Sequence, residues 1–269
     1  MKSLLKIIQR NIDLIFTKNL STKWKIKFLF NEVVSTLKIL LGKKELKYFK
    51  HKIQFDNPTT IFSVLVYPDE ILNKILRNID IKVESVLDLG GNWGQFSITM
   101  SSLNQDLKRI DVFEPNQEIF KLLENNIKGS DLIKVYNYGI GEDQETKMYF
   151  TENRSGIGSM IKENASYQGK DVVETQIKLI SDIPEHTGIK KYDLLKIDVE
   201  GFEFEAIKAI KNVETKYLFV ELSGLGRKKS YSTIDMYRLI ADKWGDFEIV
   251  HQTEFDCKSD TYDVLIKFL

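Results

Sequence analysis

An apolar run ending in an acid, two adjacent glycines and then helical spacing occupy Ser85-Val86-Leu87-Asp88-Leu89-Gly90-Gly91-Asn92-Trp93-Gly94-Gln95-Phe96. A chain written this way folds as strand, tight turn and helix, the unit from which open α/β sheets are built. Glycine permits positive φ and close approach to the backbone, and the helix start offers free N–H donors, so the turn suits a nucleotide-like ligand. Downstream the theme repeats. Strand patterns at 109–114, 133–138, 192–199 and 217–222 alternate with helical patterns, including one through Ile119, Leu122, Leu123 and Ile127 and others at 202–210 and 233–243. This alternation predicts a mainly parallel sheet covered on both faces. Residues 247–252 and 262–268 read as an antiparallel hairpin closing one edge. The stretch 139–180 is less regular and carries Gly141-Glu142-Asp143, then Ser155-Gly156-Ile157-Gly158-Ser159, then a strand-like run at 172–180. The glycine-rich segment within it suits a mobile cover or an ordinary loop.

Upstream the chain has a different character. Residues 1–50 hold 12 Lys/Arg against 3 Asp/Glu, a charge of +9, which the remainder balances to a net charge of zero. Leu4, Leu5, Ile8, Ile12 and Ile15 recur at helical spacing, and Trp24, Phe28, Val33, Leu37 and Leu41 continue a second apolar face until Gly42. Interspersed lysines exclude a membrane span, and no uninterrupted apolar core marks a signal peptide. Residues 1–45 are therefore expected to be a basic amphipathic helical appendage, either capping the main domain or lying on an anionic membrane surface. Residues 46–82 are expected to form a lead-in segment: strands at 46–55 and 60–66, a turn at Asn57-Pro58 and a helix opened by Pro68-Asp69-Glu70. Residues 83–269 make the main domain. The single Cys257 excludes an internal disulfide framework and a cysteine metal cluster, and three histidines make a histidine metal site a poor expectation. A reducing, cytoplasmic setting fits, and no nucleic-acid-binding module is visible.

Two ligands compete at the first turn, a dinucleotide and S-adenosylmethionine. Glycines at 90, 91 and 94 do not match the G-x-G-x-x-G spacing of dinucleotide folds. Asp88 before the turn would repel a diphosphate but suits the cationic amino group of a methionine moiety, whose carboxylate the turn amides can receive. Glu114 lies about 20 residues beyond the glycine loop, where an acid bonds ribose hydroxyls in either ligand. Turn capping is the alternative role for Asp88.

The blocks Val86-Leu87-Asp88-Leu89-Gly90-Gly91-Asn92-Trp93-Gly94-Gln95, Val112-Phe113-Glu114-Pro115 and Asp193-Leu194-Leu195-Lys196-Ile197-Asp198-Val199-Glu200-Gly201-Phe202-Glu203 resemble the FkbM family of S-adenosylmethionine-dependent methyltransferases. The resemblance covers about residues 67–225 and leaves residues 1–50 outside. It implies a Rossmann-like methyltransferase fold, with a mostly parallel seven-stranded sheet and an antiparallel C-terminal edge. It also implies O-methylation of a hydroxyl on a sugar, a glycolipid or polysaccharide precursor, or a secondary metabolite. Gly91 stands where the family commonly has Ala, and Tyr138-Gly139 near a common Ala-Ala or Ala-Val. The rival readings are a catalytically inactive cofactor-binding scaffold of the same fold and an NAD-dependent oxidoreductase.

Strand alternation puts Lys196, Asp198 and Glu200 on one face, at the strand end where α/β sheets bind ligands. Asp198 and Glu200 are the catalytic candidates. Either could act as general base toward a hydroxyl, or the pair could hold a divalent metal, although no dedicated metal ligands are assigned. Glu200 also fits as a charge at the following helix start, and Lys196 as their ion-pair partner. The cofactor candidates are Asp88, Gly90, Gly91, Asn92, Gly94, Glu114 and Asp143. Glu221 and Ser223 are expected to border the acceptor pocket, followed by Gly224 and the basic run Arg227-Lys228-Lys229.

Overall fold

The computed structural model of the protein describes residues 45–54, 67–68, 71–151, 158–160, 162, 172–223, 231–254 and 261–269. The helical appendage, the strand expected at 60–66, Asp69, the tip of the glycine-rich segment and Arg227-Lys228-Lys229 lie outside the described residues.

The frame is a seven-stranded sheet of β3 (Ser85–Leu89), β4 (Arg109–Phe113), β5 (Ile133–Tyr136), β9 (Lys191–Ile197), β10 (Glu214–Ser223), β11 (Phe247–Gln252) and β12 (Thr261–Phe268). Its order is β11-β12-β10-β9-β3-β4-β5. The pairs β5–β4, β4–β3, β3–β9 and β9–β10 are parallel, while β10–β12 and β12–β11 are antiparallel. This is the Rossmann-like arrangement with its antiparallel C-terminal edge. The central strands read as near-continuous apolar runs because helices α1 (Gln95–Leu103), α2 (Gln117–Asn126), α4 (Glu203–Ala209) and α5 (Thr233–Trp244) cover them. Two apolar clusters result. One joins Val86, Ile110 and Leu194 to Phe96, Ile98 and Leu123, and the other joins Leu87, Leu195 and Leu218 to Ile207, Met236 and Ile240. Helix ends are set locally. Asn116 accepts from the Glu118 amide at 3.0 Å to start α2, and Ser232 with Asp235 forms a capping box on α5.

The order of strands reverses at β3, since β4 lies to one side and the later β9 to the other. Such a switch point opens a crevice beyond the carboxyl ends of the strands. Here those ends carry Gly90, Glu114 and Asp198.

Four expectations need correction. The run 46–55 is not one strand but a hairpin, β1 (Glu45–Tyr48) and β2 (His51–Gln54), turning at Phe49 with φ 50°. Asn126 ties this hairpin to the body through both backbone groups of Gln54, at 2.5 and 3.0 Å, and bonds the Trp93 carbonyl at 2.8 Å. The helix expected from Pro68 is present, with helical backbone at Tyr67, Pro68 and Ile71, but it is π-helical rather than α-helical over Leu72–Leu76, where it buries Ile75 and pairs Lys74 with Asp263 at 2.6 Å. The third strand stops at Tyr136 because the Asn137 side chain donates to the Glu114 and Pro115 carbonyls, at 2.8 and 3.1 Å, and turns the chain away. The irregular stretch then forms a separate three-stranded sheet of β6 (Gly139–Ile140), β7 (Gln144–Thr151) and β8 (Val172–Ile180) in the order β6-β8-β7. It closes into α3 (Ile183–Thr187), which leads to β9. Finally, β9 ends at Ile197 rather than Val199, so alternation does not govern Glu200.

Candidate active site

The cleft at the switch point encloses about 960 Å³, including the part open to solvent. Its floor is the glycine loop. The amides of Gly90 and Gly91 both donate to the Phe113 carbonyl, at 3.0 and 2.9 Å, which fastens the loop to β4. On the other side the Asp198 amide donates to the Leu89 carbonyl at 3.1 Å. Gly91 sits against Val112 so closely that a Cβ there would collide with the valine Cγ1; in this chain alanine at that position would need Val112 to move.

Glu114 lines the cleft beside this loop. Its carboxylate accepts from the Asn92 and Asn116 amides, both at 2.9 Å. Each oxygen keeps a further lone pair for a hydroxyl in the cleft. Burial pushes its carboxyl up to about 7, against the pull of those two amides.

Lys196 is the buried cation of the site. Its Nζ lies 3.1 Å from Asp88 Oδ1, 3.2 Å from the Gly90 carbonyl and 3.5 Å from Asp198 Oδ2. Burial alone would lower its pKa, but Asp88 and Asp198 overcome that and raise it. Burial likewise pushes Asp88 up while Lys196 pulls it back. Three acceptors around one ammonium favour the ionised pair. Asp88 is thus not placed to meet a ligand: it is fully buried, also accepts from Ser97 Oγ at 2.6 Å, and does not line the cleft. The physical reason is register, since Asp88 lies directly across from Lys196 in the sheet.

Against the glycine loop stand Asp198 and, two residues on, Glu200, both lining the cleft. The Asp198 side chain is 38% exposed, enough to meet an acceptor while it leans on Lys196. Glu200 has φ 53°, a left-handed conformation uncommon outside glycine. Burial, with the charges of Asp198 and Glu203 adding to it, raises its carboxyl to about 8. Glu221 does not line the cleft, yet the nearby charges of Asp198 and Glu200 add to burial in raising it well above the ordinary value. Ser223 is described only by its backbone, paired across to Thr261. Two other candidates are placed elsewhere. Gly94 precedes α1 outside the cleft lining, and Asp143 accepts from the Ser181 amide at 2.6 Å, fastening the loop before β7 to the end of β8.

Three contributors escaped the sequence reading. Met148, Ile177 and Leu179 of the small sheet, with Met160, form an apolar wall. Gln95 lines the cleft at the start of α1, and its Nε2 is buried without a hydrogen-bond partner. Glu203 is almost fully buried, and burial raises its carboxyl to about 7. An acid in a first helical turn was visible as a signal, but its targets were not. Among the described residues, no three His, Cys, Asp or Glu side chains are placed to share a metal ion, and no helix is long and apolar enough to cross a membrane.

The raised acids give a stability prediction. The folded chain retains protons on Glu114, Glu200 and Glu203 up to about pH 7–8 that the unfolded chain sheds from about pH 4.5. Their contribution is therefore full below about pH 4.5 and is lost as pH rises through 7 to 8. Carboxylates held low, such as Asp80 beside Lys267, act below about pH 4, outside this window. The melting temperature should fall by several degrees from pH 5 to 8.5, and Glu200→Gln with Glu114→Gln should flatten the slope. A melting temperature that rises over this range contradicts the assignment.

With this geometry in place, comparison with known proteins is specific. A family model described as the Methyltransferase FkbM domain matches residues 88–246, more than half of the chain. Methyltransferase 1 of Beauveria bassiana (strain ARSEF 2860) is 26% identical over 144 residues, covering 46% of this chain and 57% of that protein. Methyltransferase sdnD of Sordaria araneosa is 27% identical over 156 residues, covering 46% of this chain and 60% of that one. The chain thus spans about three fifths of the length of these curated relatives. A crystal structure of Methyltransferase FkbM from Methylobacillus flagellatus KT aligns with a TM-score of 0.47 at 15% identity, over 88% of this chain and 60% of that one.

Proposed function

The chain belongs to the FkbM methyltransferase family, and from that premise we propose that it is an S-adenosylmethionine-dependent O-methyltransferase. Its acceptor would be a hydroxyl of a sugar, a glycolipid or polysaccharide precursor, or a secondary metabolite. One observation carries the reading: one cleft at the switch point is lined together by the glycine loop, Glu114, Asp198 and Glu200.

The residues present fit that donor. Glu114 has lone pairs left for a ribose diol after its two amide bonds. The orphaned Nε2 of Gln95, at a helix start, suits the donor's carboxylate. The apolar wall of Ile177, Leu179 and Met148 suits an adenine ring. The glycines at 90, 91 and 94 do not give the spacing that brings a backbone up to a diphosphate, which disfavours NAD.

When bound, the donor supplies a methyl group on a positively charged sulfur. The chain's own task is alignment, exclusion of water and handling of one proton. The apolar wall keeps water from the reacting side. Asp198, anchored by Lys196 yet accessible, is the first choice to orient the acceptor hydroxyl and take its proton. Glu200, with its carboxyl raised to about 8, takes that role only toward alkaline pH.

Calorimetric titration tests the donor. S-adenosylmethionine and S-adenosylhomocysteine should each bind at one site and NAD should not. Binding of NAD without S-adenosylmethionine would overturn the reading. A methyl-transfer screen over sugar and glycolipid hydroxyls then identifies the acceptor, and a chain that binds the donor yet methylates none of these acceptors points to the scaffold alternative.

A further inference from the structure

Glu203 opens α4, is 1% exposed and does not line the cleft. Its Oε1 accepts from the Val199 amide at 3.1 Å and from the Gly201 amide at 3.0 Å. Those two donors flank Glu200. The Glu200 carbonyl is held in turn by Ser159 Oγ, at 3.0 Å. Glu200 is therefore bracketed on both sides and on its own peptide group, in a left-handed conformation at φ 53° that a non-glycine residue rarely adopts. Strain of this kind persists only where the surroundings over-determine it.

An acid in the first turn of a helix ordinarily serves the helix, through the macrodipole or a bond back to the N-cap amide. Glu203 bonds its own amide at the helix start and, beyond that, the amides of the two residues on either side of Glu200. The loop between Asp198 and Glu203 thereby leaves the strand, and the Glu200 side chain enters the cleft beside Asp198 rather than following the strand's alternation. We propose that Glu203 is a positioning residue that holds Glu200 in its cleft-facing conformation. The proposal rests on reading Glu200 as a carboxylate of the methyl-transfer site.

Glutamine keeps an oxygen at the same reach and can accept both amides, whereas alanine cannot. At about pH 9, where Glu200 is ionised, Glu203→Ala should lower kcat by about 100-fold, the size expected for a reacting group displaced by an ångström, and the loss should shrink toward neutral pH, where Asp198 takes the proton. Donor affinity should change by no more than about threefold, because Glu203 lies outside the cleft. Glu203→Gln should restore most of the rate. In a Glu200→Ala background Glu203→Ala should cost little more, since both changes act on one group. Equal losses in both backgrounds, or a glutamine variant no better than alanine, would overturn the proposal. Crystal structures of the variants read the same point without turnover: Glu200 should leave positive φ in Glu203→Ala and keep it in Glu203→Gln. Retention of positive φ in the alanine variant overturns the positioning role, while absence of turnover in the unmutated protein overturns the methyl-transfer reading instead. If the alanine variant does not fold, Glu203→Asp, one carbon too short, takes its place in every arm.

Discussion

Asp88→Ala is expected to destabilise the protein by about 3 kcal/mol, the lower end of what breaking a buried ion pair costs. Lys196 is 2% exposed and loses its nearest counter-ion, although Asp198 at 3.5 Å and the Gly90 carbonyl at 3.2 Å remain. Ser97 Oγ loses its acceptor as well. In a chain of this size the melting temperature should drop by roughly 6–12 °C. The loss comes from the stranded ammonium, so removing it should undo much of the effect. Asp88→Ala combined with Lys196→Met is expected to recover most of the stability, because apolar replacement of a whole buried pair is often close to neutral. Additive losses in the double variant would show that Asp88 does something other than hold Lys196. Donor affinity should weaken in Asp88→Ala only through displacement of Lys196 and the Gly90 carbonyl it bonds.

That pair also shows where sequence reasoning reaches and where it stops. Strand, turn and helix from Ser85 onward follow from apolar run lengths and glycine placement, and the structure reproduces them in order. Glu114 and Asp198 reach the cleft because both stand just past the carboxyl ends of their strands, which the lengths of the apolar runs predict. What Asp88 faces depends on which strand becomes its neighbour and in what register, and no local pattern carries that. One signal was present. Asp88 is a lone charge within its apolar strand and Lys196 stands between apolar neighbours in the central strand, and such charges are buried only when paired. Asp143 and Glu221 went elsewhere for related reasons. The small sheet draws Asp143 to Ser181, and Glu221 lies across from Asp263 and outside the cleft lining. Glu200 reached the cleft by a route that alternation does not describe, through a left-handed turn outside the strand.

The second large effect concerns the contact between the glycine loop and the catalytic edge. Gly90 has φ 86°, and a Cβ built on it would collide head-on with the Asp198 carbonyl oxygen. Neither side can give way easily. The loop is fastened to β4 by two amide bonds to Phe113, and Asp198 is fastened to β3 through the Leu89 carbonyl. Gly188 provides the control, with φ 73° and nothing within 4 Å of its missing Cβ. Gly188→Ala therefore measures the backbone cost alone, about 1–2 kcal/mol. Gly90→Ala adds an overpacking cost of about 1–3 kcal/mol to that. Relief of the clash must displace the Asp198 backbone and with it the side chain that leans on Lys196. We expect Gly90→Ala to lose about 2–5 kcal/mol in denaturant unfolding and about 100-fold in turnover, since a misplaced reacting group costs that much. Gly188→Ala should keep its full rate. Equal stability losses with unchanged turnover in both variants would mean that the close approach of Gly90 to Asp198 does not set the geometry of the catalytic edge.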